Sequence, residues 1–406
     1  MRLIVIGGGA AGFFCAVNAA RMNPSLRVTI VEKTGRLLSK VRISGGGRCN
    51  VTHACFSIQE MVRKYPRGEN FVKKTFHQFF TSDTIAWFKE RGVELKTEDD
   101  GRMFPVTDTS ETVIRCLLNE ADRYGVAIRL NRDVKRLEKV GQRWKLTFAG
   151  GEAEDADFVC VACGGYPKMA MFEWIVGTGH TISEPVPSLF TFNMPGHPIT
   201  ALMGISVRAK VKIGGTKLEE EGAVLITHWG MSGPAVLKLS ARAARELNKM
   251  DYRFNIMVNW LPDYNEHSLR DVFTGFRTDN GAQKVTARNA FGVPHRLWEY
   301  FCTASGINDD VRWGDLSASK QNALIRQICL HEIRVEGKTT FKEEFVTAGG
   351  IALKEVDPST MQSRLVSSLY FAGEILDVDG VTGGFNFQHA WTSGWIAAKA
   401  VSSGLQ

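Results

Sequence analysis

No stretch of the 406-residue sequence approaches the ~18 unbroken apolar residues that a membrane span requires. The most apolar segment, from Met1 to Ala20, is interrupted by Gly7, Gly8, Gly9 and Gly12, so it reads as strand, turn and helix rather than as a secretory leader. Internal repeats and low-complexity linkers are also missing, which excludes solenoid and fibrous architectures. None of the nine histidines has paired metal-ligand spacing, so no zinc site is expected. Eight cysteines in so long a chain are too few for a disulfide scaffold and read as reduced thiols of a cytoplasmic protein. Acidic residues are locally scarce. Residues 33–74 hold ten Lys/Arg but only Glu60 and Glu69.

What is present is a globular composition, 44% hydrophobic and 23% charged, with a net charge of +7. That charge is uneven: residues 1–150 carry 26 basic and 15 acidic residues, a balance of +11, and the remainder 24 and 28, a balance of −4. Leu3–Ile6, a helix over 10–22 stopped at Asn23-Pro24, and Arg27–Val31 make one βαβ unit. Helix patterns return at 83–91 and 110–124, the latter with Asp108 and Glu111 at capping-box spacing. Strand patterns follow at 126–130, 134–138, 144–148 and 158–162. From 188 the style changes, first strand-rich (205–213, 253–258) and then helical (266–334). After 345 the glycine-rich style returns and ends in a helix from Asn386 to about Val401. The expectation is an α/β chain with a Rossmann-type domain of 1–187 plus 345–406, an inserted β-rich domain at 188–262 and a small helical domain at 263–344.

Gly7-Gly8-Gly9-Ala10-Ala11-Gly12 is G-x-G-x-x-G between a strand and a helix. The first glycine permits the tight turn and the second admits a pyrophosphate. The third packs helix on strand, and the helix N-terminus then faces the phosphate. Glu32 closes the second strand twenty residues after Gly12, where a carboxylate accepts both hydroxyls of an adenosine ribose and disfavours a 2′-phosphate. Lys33, Lys40, Arg42 and Arg48 lie near these loops in sequence and are candidates to neutralise the pyrophosphate, or the phosphates of a reductant. At the other end of the chain a strand, 369–372, delivers Gly373-Glu374, and the Gly380–Gly384 loop opens the last helix. That pattern suits a flavin, with Asn386 at the start of a helix aimed at the N1–C2=O edge. The ligand is therefore expected to be FAD. No second G-x-G-x-x-G appears, so NAD(P)H is expected only as a transient reductant, or another acceptor replaces it.

Several strings are distinctive: Ile43-Ser-Gly-Gly-Gly-Arg-Cys-Asn50, Gly101-Arg-Met-Phe-Pro105, Thr227-His-Trp-Gly-Met-Ser-Gly-Pro234, Val346-Thr-Ala-Gly-Gly350, Phe371-Ala-Gly-Glu374 and Gly383-Gly-Phe-Asn-Phe-Gln388. Together, over about 1–400, they resemble the BaiN/RdsA-type (YhiN-like) flavoproteins, the NAD(P)/FAD-dependent or aminoacetone-oxidase-like enzymes. The resemblance implies an FAD domain made from both chain ends. It also implies that the loops carrying Gly45, Gly46, Arg48, Cys49 and Asn50 and carrying Gly383, Gly384, Asn386 and Phe387 flank the flavin. Gly164 and the backbone of Val134 are implied contacts, the latter to adenine. One departure is plain: after Cys163-Gly164-Gly165 the segment Tyr166–Phe172 is shorter than the family's loop and lacks its Gly-Ser-Thr-Gly element.

Candidate catalytic groups are Cys49, whose neighbour Arg48 favours a thiolate, and His228 in Thr-His-Trp-Gly-Met-Ser-Gly-Pro. Cys160 and Cys163 have C-x-x-C spacing, but an offset of three along a strand puts them on opposite faces. Arg63, Lys64, Arg67, Lys73 and Lys74, interleaved with Tyr65, Phe71, Phe76 and His77, form either an RNA face, through phosphate contacts and stacking, or a solvated helix face. The sequence thus predicts an FAD-dependent oxidoreductase exchanging hydride between flavin N5 and a substrate carbon. Its substrate is a small molecule, reduced at a conjugated C=C or oxidised at an amine, or a uridine in structured RNA. A redox-sensing flavin scaffold is the non-enzymatic alternative.

Overall fold

The computed structural model describes residues 1–287, 289, 291–339 and 346–404. They divide into two compact units, Met1–Ser188 with Phe341–Gln406 and Leu189–Thr340, each taken over its described residues.

The first unit is built on a five-stranded parallel sheet in the order Leu369–Phe371, Phe158–Val161, Arg2–Ile6, Arg27–Val31, Ala127–Arg129. Four of these strands are short aliphatic, β-branched or aromatic runs that are almost wholly buried, as in a covered parallel sheet, while the edge strand Ala127–Arg129 is largely exposed. The N-terminal strand sits at the centre, with Ile6 level with both Val31 and Val161. The first helix, Ala10–Met22, buries every residue from Ala11 to Ala20 because it lies between this sheet and the C-terminal helix, Phe385–Ser403. The two helices approach so closely that a Cβ at Gly394 would stand 2.7 Å from Ala11 O. An antiparallel meander, Val134–Val140, Arg143–Phe148 and Ala153–Ala156, flanks the sheet.

The second unit is a seven-stranded antiparallel sheet in the order His331–Glu336, Arg253–Asn259, Ser206–Ile213, Glu219–Thr227, Gly230–Ser232, Thr191–Asn193, Lys338–Thr339. Helices Glu266–Asp279, His295–Ala304 and Ala318–Cys329 share one apolar cluster with it: Leu269, Phe273, Trp298 and Leu324 are buried together with Val211, Ile256 and Ile333. The helical segment thus has no core separate from the sheet, and its expected end at 334 is corrected. His331–Glu336 is a strand with alternating burial.

Local signals also resolve. The helix expected at 110–124 is Ser110–Arg123, but its cap is Thr109, whose hydroxyl accepts from Glu111 N. Asp108 is turned away at φ 53° and pairs with Lys96 instead. The C-terminal helix begins one residue earlier than its pattern suggests, because Gly384 at φ 90° caps it, and it runs on to Ser403.

Candidate active site

The loops that leave the carboxyl ends of the parallel strands converge, as ligand-binding loops of open α/β sheets do. After the first strand, Gly7 donates its N–H to Val31 O (2.8 Å) at φ 113°. A Cβ at Gly7 would sit 2.4 Å from Ala162 O, and one at Gly12 would sit 1.9 Å from Gly7 O. Packing therefore demands those two glycines. Gly9 differs: a Cβ there would meet nothing within 4 Å. The first helix follows with Ala10 and Ala11, no acidic residue in its first turn and no side-chain cap, which leaves its terminal N–H groups for an anion.

Glu32 ends the second strand half-buried. One carboxylate oxygen accepts from Gly8 N (2.9 Å), and the other from the N–H and hydroxyl of Thr34 (2.9 Å each). Lys33 lies 5.2 Å from the Tyr166 ring centroid. Lys40 pairs with Glu374, whose other oxygen accepts from Thr347 N (2.9 Å). Gly164 adopts φ 78°, and a Cβ there would meet only Glu374 Oε2, at 4.0 Å. Gly373, at φ 75°, donates to Ser393 Oγ (2.8 Å), and its carbonyl meets His389 Nε2 (3.3 Å). Val134 is buried at the start of its strand, paired with Phe148.

The two glycine loops from opposite ends of the chain are bonded to each other. Gly45, Gly46 and Gly47 run through φ 59°, 69° and 85°. The last two have open space where a Cβ would be, while Gly45 rests on Phe104. With its amide oriented to satisfy both ends, buried Asn50 accepts from Gly384 N (2.9 Å) and donates to Thr52 O (3.0 Å). His53 Nδ1 contacts Gly383 O (3.0 Å), and its ring lies 4.6 Å from that of Phe385. The C-terminal helix then presents the N–H groups of Phe385, Asn386 and Phe387, which precede its first internal bond, Gln388 N to Gly384 O (3.0 Å). Phe387 stacks on Trp391.

Some expected roles are corrected. The side chain of Asn386 is consumed by Gly380, accepting from its N–H (2.8 Å) and donating to its carbonyl (3.0 Å), so only its backbone N–H remains for a ligand. Arg48 is held by Glu98 (2.5 Å) over the Phe104 ring (4.0 Å), neutralised by an acid rather than free for a phosphate. Nor does it create a thiolate: Cys49 is fully buried, and burial pushes its thiol up to about 12. We expect alkylation of the native protein to spare Cys49 and Cys49→Ala to keep turnover within about twofold. Mass mapping of carbamidomethylated peptides and steady-state rates check this.

His228 is exposed at the hairpin turn of the second unit, its ring 4.0 Å from that of Trp229. Cys160 is buried, Cys163 half-buried, and both are free thiols. The aromatic residues of the basic stretch do not form a stacking platform: Tyr65, Phe71 and Phe76 are buried, and Arg67 is paired with Asp379. Exposed on that stretch are Arg63, Lys73, Lys74 and His77. Sequence reasoning passed over His53 and Asp379 altogether, placed Tyr65 and Arg67 only in the basic stretch, and gave Gln388 no role of its own. Gln388 is buried, its amide oxygen accepting from Thr52 (2.6 Å) and Thr84 (3.0 Å). Each acts through a partner hundreds of positions away or on another element, and no local pattern announces that.

The residues fit a dinucleotide. Open positions at Gly9, Gly46 and Gly47 form a cradle that side chains would fill, with a carboxylate at the ribose end and helix N-termini on both loops. Among the described residues no cluster of His, Cys, Asp or Glu is placed to hold a metal, and no helix is long and apolar enough to cross a membrane.

Fold and site together define a Rossmann-type FAD-dependent oxidoreductase. The HI0933-like protein Rossmann domain family matches residues 1–400, and the chain belongs to that family. It is 30% identical over 99% of both chains to a 3-dehydro-bile acid delta(4,6)-reductase of Clostridium scindens. It is 28% identical over 98% of both chains to a ribosomal RNA dihydrouridine synthase of Haemophilus influenzae. In fold it is similar to a 3-ketosteroid-delta4-(5alpha)-dehydrogenase of Rhodococcus jostii, with a TM-score of 0.51 at 12% identity over 98% of this chain and 96% of that one.

Proposed function

We propose that this enzyme saturates a carbon–carbon double bond conjugated to a carbonyl in a cyclic small molecule, with NAD(P)H as transient reductant. The observation that supports it best is the pair of relatives' activities. A delta(4,6)-reductase of a 3-oxo steroid and a dihydrouridine synthase share one reaction, hydride addition to a C=C beside a carbonyl. FAD, when bound, supplies the hydride and is re-reduced between turnovers. The chain's own part is positional and electrostatic. Glu32 and the Gly7–Gly9 turn fix the adenosine and pyrophosphate end. Asn50 and His53 lock the two glycine loops together. The N–H groups of Phe385, Asn386 and Phe387, at the positive end of a 19-residue helix, would favour negative charge on a flavin held at this loop.

A uridine in ribosomal RNA is the second reading. Exposed Arg63, Lys73 and Lys74 favour it, since a row of basic side chains suits a phosphate backbone. The buried state of Tyr65, Phe71 and Phe76 removes the stacking half of that argument. The test is anaerobic. The holoenzyme is reduced with NADH or NADPH and offered a 3-oxo-4-ene steroid, a set of smaller cyclic enones or unmodified ribosomal RNA. Return of the yellow flavin absorbance and a two-hydrogen mass gain are then followed. The first reading expects an enone to gain two hydrogens while RNA does not. It fails if only RNA does so, and in that case the triple variant R63E/K73E/K74E should weaken RNA binding and flatten its salt dependence.

A further inference from the structure

The basic stretch contains a clamp. Arg67 and Asp379 form an isolated antiparallel β-bridge, and the guanidinium grips both carboxylate oxygens. The Arg67 side chain is 10% exposed and that of Asp379 0%, so both charges are withdrawn from water. Ser188 Oγ also donates to Asp379 Oδ2 (2.9 Å). The neighbours of Arg67 hold the loop that follows Asp379. Val381 N donates to Lys64 O (2.9 Å), and Tyr65 Oη donates to Phe385 O (2.6 Å), on the first residue of the C-terminal helix. Fit is tight throughout: a Cβ at Gly68 would reach 2.6 Å from Val378 Cγ2, and one at Gly380 would reach 2.7 Å from Phe385 Cβ.

We infer that Arg67 and Asp379 are positioning residues for the flavin. Together with Tyr65 they set the path of the Gly380–Gly384 loop and the aim of the C-terminal helix N-terminus, and through these the affinity and potential of bound FAD. This rests on the reading that the flavin lies against the two bonded glycine loops. A buried ion pair is an expensive way to gain stability, because well-packed apolar residues often serve as well. What the pair supplies is direction. A planar fork on a carboxylate fixes both the distance and the angle between the 64–68 segment and the loop, and a lysine cannot reproduce that.

The test compares R67M, R67K and the double variant R67M/D379L with the wild type. The readouts are thermal unfolding of the apoprotein, FAD dissociation constant, visible circular dichroism of bound flavin and its midpoint potential. R67M alone strands a buried carboxylate and lowers the unfolding temperature. The double variant removes both charges and recovers that temperature, yet its FAD dissociation constant stays raised by about tenfold and its flavin potential falls. R67K folds and shows the same two flavin effects. If the double variant or R67K has wild-type FAD affinity and potential, the pair is structural only and the inference is overturned. Gly46→Ala is the control for location: its Cβ meets no described protein atom within 4 Å, and the backbone strain of alanine at φ 69°, about 1–2 kcal/mol, is read separately in the melting of its apoprotein. Unchanged FAD affinity in that variant would mean the flavin does not lie against these loops, which overturns the site reading and the inference with it. Lost affinity in G46A with unaltered Arg67 variants overturns the clamp alone.

Discussion

Gly9→Val is expected to give a folded, colourless protein. The reason lies in the difference between three glycines of one motif. At Gly9 the backbone has φ −94° and ψ −170°, an extended conformation that valine adopts readily, and the added side chain begins in open space. The variant's apoprotein should therefore unfold within about 1 kcal/mol of the wild type, the difference being the poorer N-cap that valine makes for the first helix. In the proposed site that open space is what would let a pyrophosphate approach the backbone, so FAD affinity should drop at least about 100-fold, equivalent to about 2.7 kcal/mol. Gly12→Ala should behave in the opposite way. Its Cβ would overlap Gly7 O at 1.9 Å, which forces the first helix off the first strand and destabilises the fold itself. Apoprotein melting and FAD titration separate the two outcomes. A yellow Gly9→Val protein with normal affinity would remove the dinucleotide from this turn.

That contrast also shows how much of the molecule its sequence announces. The first βαβ unit was legible because each cue is local: the apolar runs, the glycines, the Asn23-Pro24 stop and Glu32 at the strand end all lie within a few residues of what they control. The cofactor follows from the same cues together with the glycine loop at the far end of the chain. The parts that misled depend on distant partners. Arg48 reads as a phosphate ligand until Glu98 and Phe104 are placed beside it. Arg67 reads as a solvated or RNA-facing charge until Asp379, more than 300 positions later, is found buried against it. Asn386 has the right place for a flavin contact, but Gly380 claims its amide. Charge and polarity in sequence state which groups need partners. Only the fold states which partners they obtain.

His389 should make the flavin unit acid-labile. It is buried in the second turn of the C-terminal helix. Its Nε2 faces Gly373 O (3.3 Å) and its Nδ1 has no partner among the described residues. Burial holds the imidazole neutral, its pKa lowered to about 4, despite the opposing pull of the Gly373 carbonyl. The unfolded chain binds a proton near pH 6.5 and the folded one does not until about pH 4, so unfolding takes up a proton throughout that interval. Stability from this group is therefore intact above pH 6.5, falls as the pH drops toward 4, and reaches its full loss below that. Between pH 7 and 4.5 the cost is on the order of 2 kcal/mol. His331, lowered to about 4 by burial and by nearby His197, imposes the same sign on the second unit independently. Because Gly373 also donates to Ser393 Oγ and lies so near Ala11 that a Cβ on it would stand 2.7 Å from Ala11 Cβ, protonation at His389 should disturb the seam between the first and last helices, and FAD should leave as the pH falls. His389→Leu should lose about 1 kcal/mol at pH 7 with the Gly373 contact. It should retain FAD to lower pH than the wild type, so the two stability curves cross between pH 7 and 4.5. Urea unfolding and flavin release, followed across pH 4–8, measure both. Parallel curves for the two proteins would show that His389 is not the group whose protonation drives the loss.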